Sequence, residues 1–124
     1  MSSKLVAVID CGTNTTRLLI TDGSDVDIRV QKITGLGRGV GESRRLSEDG
    51  IKRVADALSE FRELIDHHKV QSIRAVGTSA VRDALNQSAF IDTASEALNA
   101  KVEILSGDLE AKYSFLGATA DLDP

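Results

Sequence analysis

Ile9-Asp10-Cys11-Gly12-Thr13-Asn14-Thr15-Thr16-Arg17-Leu18-Leu19-Ile20 decides how this chain is read. The run leading into it, Leu5–Ile9, is continuously apolar, the composition of a central strand covered on both faces. It ends in a carboxylate, Asp10. A short turn rich in glycine, hydroxyl and amide groups follows, and Arg17 opens a second apolar strand, Arg17–Thr21. Ordinary hairpin turns favour the same residue types, because Asn and Thr side chains bond their own backbone. Yet the turn also holds what an anion needs. It offers bare N–H groups beside Gly12, the hydroxyls of Thr13 and Thr15, the Asn14 amide and the Arg17 guanidinium. Asp10 adds a carboxylate suited to Mg²⁺ or to water.

Working outward, Asp22-Gly23-Ser24-Asp25 is a turn signal. Val26, Ile28 and Val30 then alternate with polar residues, which predicts a half-exposed third strand at a sheet edge. Gly35, Gly37, Gly39 and Gly41 punctuate the next segment. It lacks the Lys-Ser/Thr ending of a P-loop, so the glycines read as the permissive backbone of a crossover. Arg38, Arg44 and Arg45 in and beside it are either solvated or within reach of an anionic substrate. Ser47 is an N-cap, with Glu48 and Asp49 in the positive first turn. Ile51, Val54, Ala55, Leu58, Phe61 and Ile65 then recur at helical spacing, predicting a long amphipathic helix that ends near His67-His68. Adjacent histidines point to different faces and make poor co-ligands for a metal.

Ser72–Val76 is a fourth strand. Asn86 reads as the cap of a helix carrying Phe90, Ile91, Ala94 and Leu98, with Asn99 at its C-terminus. Val102–Leu105 is a fifth strand, and Ser106 caps a last helix from about Asp108 to Leu116. Strands that begin as a meander and then alternate with helices predict an α/β fold. The expected form is a five-stranded mixed sheet with flanking helices, its later strands parallel to the first.

Composition narrows the function. At 124 residues the chain fits one domain or one lobe. Aromatics are 3%, so the core must come from Leu, Ile, Val and Ala. The net charge of −4 argues against nucleic acid as a partner and requires any anion site to be built locally. A single cysteine excludes an intrachain disulfide and fits a cytoplasmic protein. No apolar run approaches the ~20 residues of a membrane span, and no signal peptide is visible.

Two later strands end as the first does. The fourth runs into Gly77-Thr78-Ser79-Ala80-Val81-Arg82 and the fifth into Ser106-Gly107-Asp108-Leu109-Glu110. Ligands in open α/β sheets sit beyond the carboxyl ends of strands, so three parallel strands would bring these tips to one edge. Singly, Ser79 reads as a helix cap, Arg82 as a partner for a nearby acid, and Glu110 as a complement to the helix dipole. Together they read as a site.

These motifs resemble the N-terminal domain of the exopolyphosphatase / guanosine-pentaphosphate phosphatase (Ppx/GppA) family. Asp10 to Thr15 is similar to its first phosphate loop, Gly77 to Arg82 to its Ala-Thr-Ser-Ala-x-Arg, and Ser106 to Ala111 to its Ser-Gly-x-x-Glu-Ala. Asn86 to Phe90 is similar to its Asn-x-x-x-Phe. Thr13 and Thr15 stand where serine is commoner. Gly77 replaces an alanine, which is expected to loosen the turn.

The resemblance implies a ribonuclease-H-like lobe of the actin–Hsp70–sugar-kinase superfamily. It implies hydrolysis of the terminal phosphate of polyphosphate or guanosine pentaphosphate, with magnesium as cofactor. Glu110 would be the base, Arg17 and Arg82 would stabilise charge, and Gly12, Thr13, Asn14, Thr15, Thr78 and Ser79 would hold phosphate. Asp10 would place metal or water. The family continues into a second lobe with a further glycine-rich phosphate loop. Residues 1–124 are therefore expected to be a single N-terminal lobe, inactive alone. It is also expected to self-associate through apolar surface around Leu109, Phe115 and Leu116. The competing readings are a nucleotide-binding ATPase or kinase lobe, which explains the first turn but not Thr78, Ser79 and Arg82 with Glu110, and a non-catalytic module that binds polyphosphate or an alarmone.

Overall fold

The structure, a computed structural model, describes residues 5–23, 27–38 and 44–105. Three strands, β1 (Val6–Cys11), β2 (Thr15–Thr21) and β3 (Asp27–Ile33), form the meander. Helix α1 (Glu48–His67) crosses to β4 (Ser72–Gly77), and the short α2 (Ser79–Arg82) and α3 (Gln87–Leu98) cross to β5 (Val102–Ile104). The sheet order is β3-β2-β1-β4-β5. β1 pairs antiparallel with β2 and parallel with β4, and β4 pairs parallel with β5. This is the predicted five-stranded mixed sheet, with β3 at its edge. The last predicted helix, with Ser106 to Glu110 and the apolar Leu109, Phe115 and Leu116, lies outside the described residues.

Period-two alternation sets the faces. Ala7, Ile9 and Cys11 of β1 and Leu18 and Ile20 of β2 are buried together against Val54, Leu58, Phe61 and Ile65 of α1 and Phe90, Ala94 and Leu98 of α3. Phe61 and Phe90 are fully buried and fill this seam, each contributing about 1.5–3 kcal/mol of burial. The other face carries no helix among the described residues, and Val8 there is 40% exposed. The reading of β1 as covered on both faces is therefore corrected for the described residues. Its inward positions are buried, and its outward ones sit beside charged neighbours such as Arg74, opposite Val8 in β4.

Helix ends follow the sequence in two places and depart from it in one. The Ser47 hydroxyl accepts the Gly50 N–H at 2.9 Å, as an N-cap should. Asn99 takes the left-handed conformation, φ 54°, that closes α3. Asn86 precedes α3, but its side chain makes no capping bond. Its amide instead pairs both ways with the Leu46 backbone, accepting at 2.8 Å and donating at 3.0 Å. An amide has both a donor and an acceptor, so it can mimic a strand partner. Asn86 thereby pins the chain just ahead of α1, at a distance of forty residues.

Gly77 corrects a second expectation. A Cβ at that position would stand 3.0 Å from Val81 Cβ and Cγ2. Glycine here lets the turn into α2 close tightly onto Val81 and does not loosen it.

Candidate active site at the strand tips

Register brings the three tips together. Cys11 stands opposite Gly77, and Gly77 opposite Ile104. The Thr78 N–H donates to the Cys11 carbonyl at 3.2 Å, and the Leu105 N–H to the Gly77 carbonyl at 2.9 Å. Parallel pairing thus places the carboxyl ends of β1, β4 and β5 on one edge of the sheet.

The first turn is shorter than its sequence implies. β-branched Thr15 and Thr16 extend β2, which starts at Thr15 and not at Arg17. Gly12 closes the turn by donating its N–H to the Thr15 carbonyl at 3.1 Å, leaving Thr13 and Asn14 exposed at the tip. The Thr13 and Ser79 hydroxyls lie 2.8 Å apart, joining the first motif to the second. Ser79, read from sequence as a cap, is used for this bridge, and Thr78 before it makes no side-chain capping bond. A hydroxyl has one donor and two acceptor positions, so a bonded pair keeps capacity for an anion.

Gly12 also leaves a gap. At the point where its Cβ would stand, the nearest atoms are the Thr15 carbonyl oxygen at 3.0 Å, Asp10 Oδ1 at 3.9 Å and Thr78 Oγ1 at 4.0 Å. A carboxylate and a buried hydroxyl therefore flank a space that any side chain at position 12 would fill.

Asp10 and Arg17 are cross-strand partners. Both line a hollow of about 490 Å³ on the helix-free face, together with Val8 and Leu19. Arg17 donates from Nε to Gln31 Oε1 at 3.4 Å. The structure thus sets Arg17 beside Asp10, one step back from the turn. Arg82 is half-buried and donates from Nη1 to the Leu105 carbonyl at 3.0 Å. At least one arm of its fork holds the third tip, at the last described residue before Ser106. Glu110 lies outside the described residues.

Sequence reasoning missed the bracket behind the turn. The Thr34 and Gly35 N–H groups both donate to the Asn14 carbonyl at 3.0 Å, and the Gly37 N–H donates to the Thr13 carbonyl at 2.8 Å. The Thr34 hydroxyl pairs with that of Thr16 in a buried contact of 2.9 Å. Gly35 has φ +61°, a conformation that favours glycine. Gly37 packs so closely on Thr13 that a Cβ there would overlap its methyl group. The signal was present as Gly35-Leu36-Gly37, two glycines one residue apart, but it reads equally as a permissive linker. Arg38 folds its side chain over Gly35.

Cys11, at the end of β1, is fully buried. Burial first, and the charge of Asp10 second, push its thiol up from 9.0 to about 12. That excludes a thiolate nucleophile at neutral pH and fits the reading of Cys11 as a small core residue. It also sets a pH dependence. The folded chain keeps this proton where the unfolded chain has lost it, so stability is full below pH 9.0 and declines toward pH 12. Between pH 8 and pH 10.5 the wild type should lose about 2 kcal/mol more unfolding free energy than Cys11→Ala, as read by urea denaturation. Equal losses in the two proteins would mean that the thiol ionises as freely folded as unfolded.

The chain matches the profile of the Ppx/GppA phosphatase family over residues 20–124. It is 37% identical over 135 residues to exopolyphosphatase 2 of Mycobacterium tuberculosis, covering 98% of this chain and 42% of that protein. It is 34% identical over 120 residues to the guanosine-5'-triphosphate,3'-diphosphate pyrophosphatase of Vibrio parahaemolyticus, covering 94% of this chain and 24% of that one. The crystal structure of the Aquifex aeolicus Ppx/GppA family member superposes with a TM-score of 0.85 at 35% identity, covering 98% of this chain and 41% of that chain. The chain therefore spans less than half the length of these relatives.

Proposed function

Because the chain belongs to the Ppx/GppA phosphatase family, we propose that it supplies one side of an active site that hydrolyses the terminal phosphate of inorganic polyphosphate or guanosine pentaphosphate. The observation that carries this reading is the 2.8 Å bridge between Thr13 and Ser79, which makes two separate motifs one surface at the strand tips. A nucleotide-kinase lobe accounts for the first turn alone. The phosphatase reading accounts for the turn, the bridge and the anchoring of the third tip by Arg82.

The chemistry is phosphoryl transfer, in which positioning and electrostatics supply most of the rate. Thr13, Asn14 and Thr15 hold the terminal phosphate, and Thr78 and Ser79 approach it from the neighbouring tip. Gly12, expected to offer a bare amide, spends its N–H on the Thr15 carbonyl and shapes the turn instead. Arg17, beside Asp10 on the sheet, and Arg82, which also holds the Leu105 carbonyl, stabilise charge on the phosphate oxygens. Glu110 takes the proton of the attacking water. The donor set suits Mg²⁺, which keeps several waters and takes one or two protein carboxylates plus substrate phosphates. Asp10, whose Oδ1 lies near Gly12 and the Thr78 hydroxyl, is the carboxylate that would hold it. When bound, the ion neutralises charge on the phosphate oxygens.

The test is release of phosphate by the full-length protein from long-chain polyphosphate and from guanosine pentaphosphate, each with and without magnesium. Processive release from the chain end supports the reading. Turnover of neither substrate, with ATP hydrolysed instead, would replace it with the nucleotide-binding one.

A further inference from the structure

Arg53 lies in the second turn of α1, outside every sequence motif that marks the site. It is half-buried, and its guanidinium spans two backbone carbonyls. Nε donates to the Thr34 oxygen at 2.6 Å, and Nη2 to the Gly35 oxygen at 3.3 Å. These are the peptides that bracket the first turn. The Thr34 carbonyl and the Gly35 N–H are the two ends of one planar peptide group. One end accepts from Arg53, and the other donates to the Asn14 carbonyl at 3.0 Å. A charged donor on the carbonyl polarises the peptide and strengthens its N–H as a donor. The neighbouring Gly35 carbonyl also accepts the Arg38 N–H at 3.1 Å, so Nη2 and that N–H together fix the bend that carries Gly37 onto Thr13.

The turn is held by its carbonyls. With the Thr13 and Asn14 oxygens drawn to the bracket, the N–H groups of the same peptides, those of Asn14 and Thr15, must point the opposite way. We propose that Arg53 is a positioning residue for the phosphate-holding turn, acting through the Thr34–Gly35 peptide to aim the Asn14 and Thr15 amides. This rests on the reading of that turn as the phosphate site. Lysine cannot reproduce the contact, because a single ammonium lacks the planar two-point fork.

The test uses the full-length protein with Arg53→Ala and Arg53→Lys. Preorganised amides act on charge that develops in the transition state, so kcat should fall about 10- to 100-fold in Arg53→Ala with KM changed less than about threefold. Arg53→Lys should recover part of the loss. Ethylguanidinium added to Arg53→Ala should raise kcat severalfold without moving the melting temperature, a response that a purely structural role would not give. Arg53→Lys keeps the helix and the aliphatic stem, and so decides the matter if Arg53→Ala does not fold. Wild-type kcat in either variant, or a loss in Arg53→Ala that ethylguanidinium leaves unchanged, would overturn the proposal. A wild-type protein that hydrolyses no phosphate polymer would instead overturn the phosphatase reading, so the two failures are distinct.

Discussion

Glu110→Gln in the full-length protein should lower the turnover number about 10²- to 10⁴-fold and leave KM within a few-fold of wild type. That is the usual size of a general-base contribution. The amide keeps the volume of the carboxylate and cannot accept a proton from water, so binding survives and chemistry does not. The motif that carries Glu110 begins directly after the third strand tip. Leu105 is held from both sides, its N–H by the Gly77 carbonyl and its carbonyl by Arg82 Nη1. Glu110 follows five residues later in the sequence, outside the described residues. Steady-state phosphate release from polyphosphate reads the effect, and near wild-type turnover would remove Glu110 from the mechanism.

Gly37→Ala should also be severe, although position 37 bears no side chain. The added methyl would overlap the Thr13 methyl group and stand 3.3 Å from the Thr13 carbonyl. Thr13 is β-branched, so relieving the overlap either turns its methyl and hydroxyl together about χ1 or shifts the turn. Its hydroxyl would then leave Ser79. Overpacking of this kind costs about 1–3 kcal/mol in stability, and displacement of the turn by ~1 Å costs on the order of 10²-fold in kcat/KM. Gly23→Ala is the control. Gly23 has φ +90° with nothing within 4 Å of a built Cβ, so the substitution strains the backbone without a clash and far from the tips. It should lower the melting temperature slightly and leave kcat/KM alone. Wild-type kinetics in Gly37→Ala would mean that the bracket does not position the turn.

What the sequence made legible was what local rules encode. The alternation in β3, the cap at Ser47 and the left-handed close at Asn99 each follow from a few neighbouring residues. The parallel tips follow from strands alternating with helices, and so the convergence of Gly12 to Thr15 with Thr78 and Ser79 was readable. Where the reading failed, the deciding partner was distant in the chain. Asn86 had the residue type and place of an N-cap, but Leu46 offered its amide two bonds where a cap offers one. Ser79 likewise looked like a cap and found Thr13, sixty-six positions away. Arg17 appeared to belong to the turn, but two β-branched threonines carried the strand past it. Gly35 and Gly37 were visible only as freedom, because what they approach is set by how the crossover lies on the turn. Arg53 gave no signal at all, since a half-exposed arginine in an amphipathic helix is the commonest thing such a position holds.

In the proposed site the turn at the end of β1 and the start of α2 together hold a phosphate. This is tested most directly by titrating the 15N-labelled 124-residue chain with tripolyphosphate and following its backbone amides. Saturable shifts should centre on Gly12, Thr13, Asn14, Thr15, Thr78 and Ser79, with the edge strand β3 unmoved. Silence at those six amides, with shifts confined to Arg29 and Arg74 on the helix-free face, would contradict the proposed site.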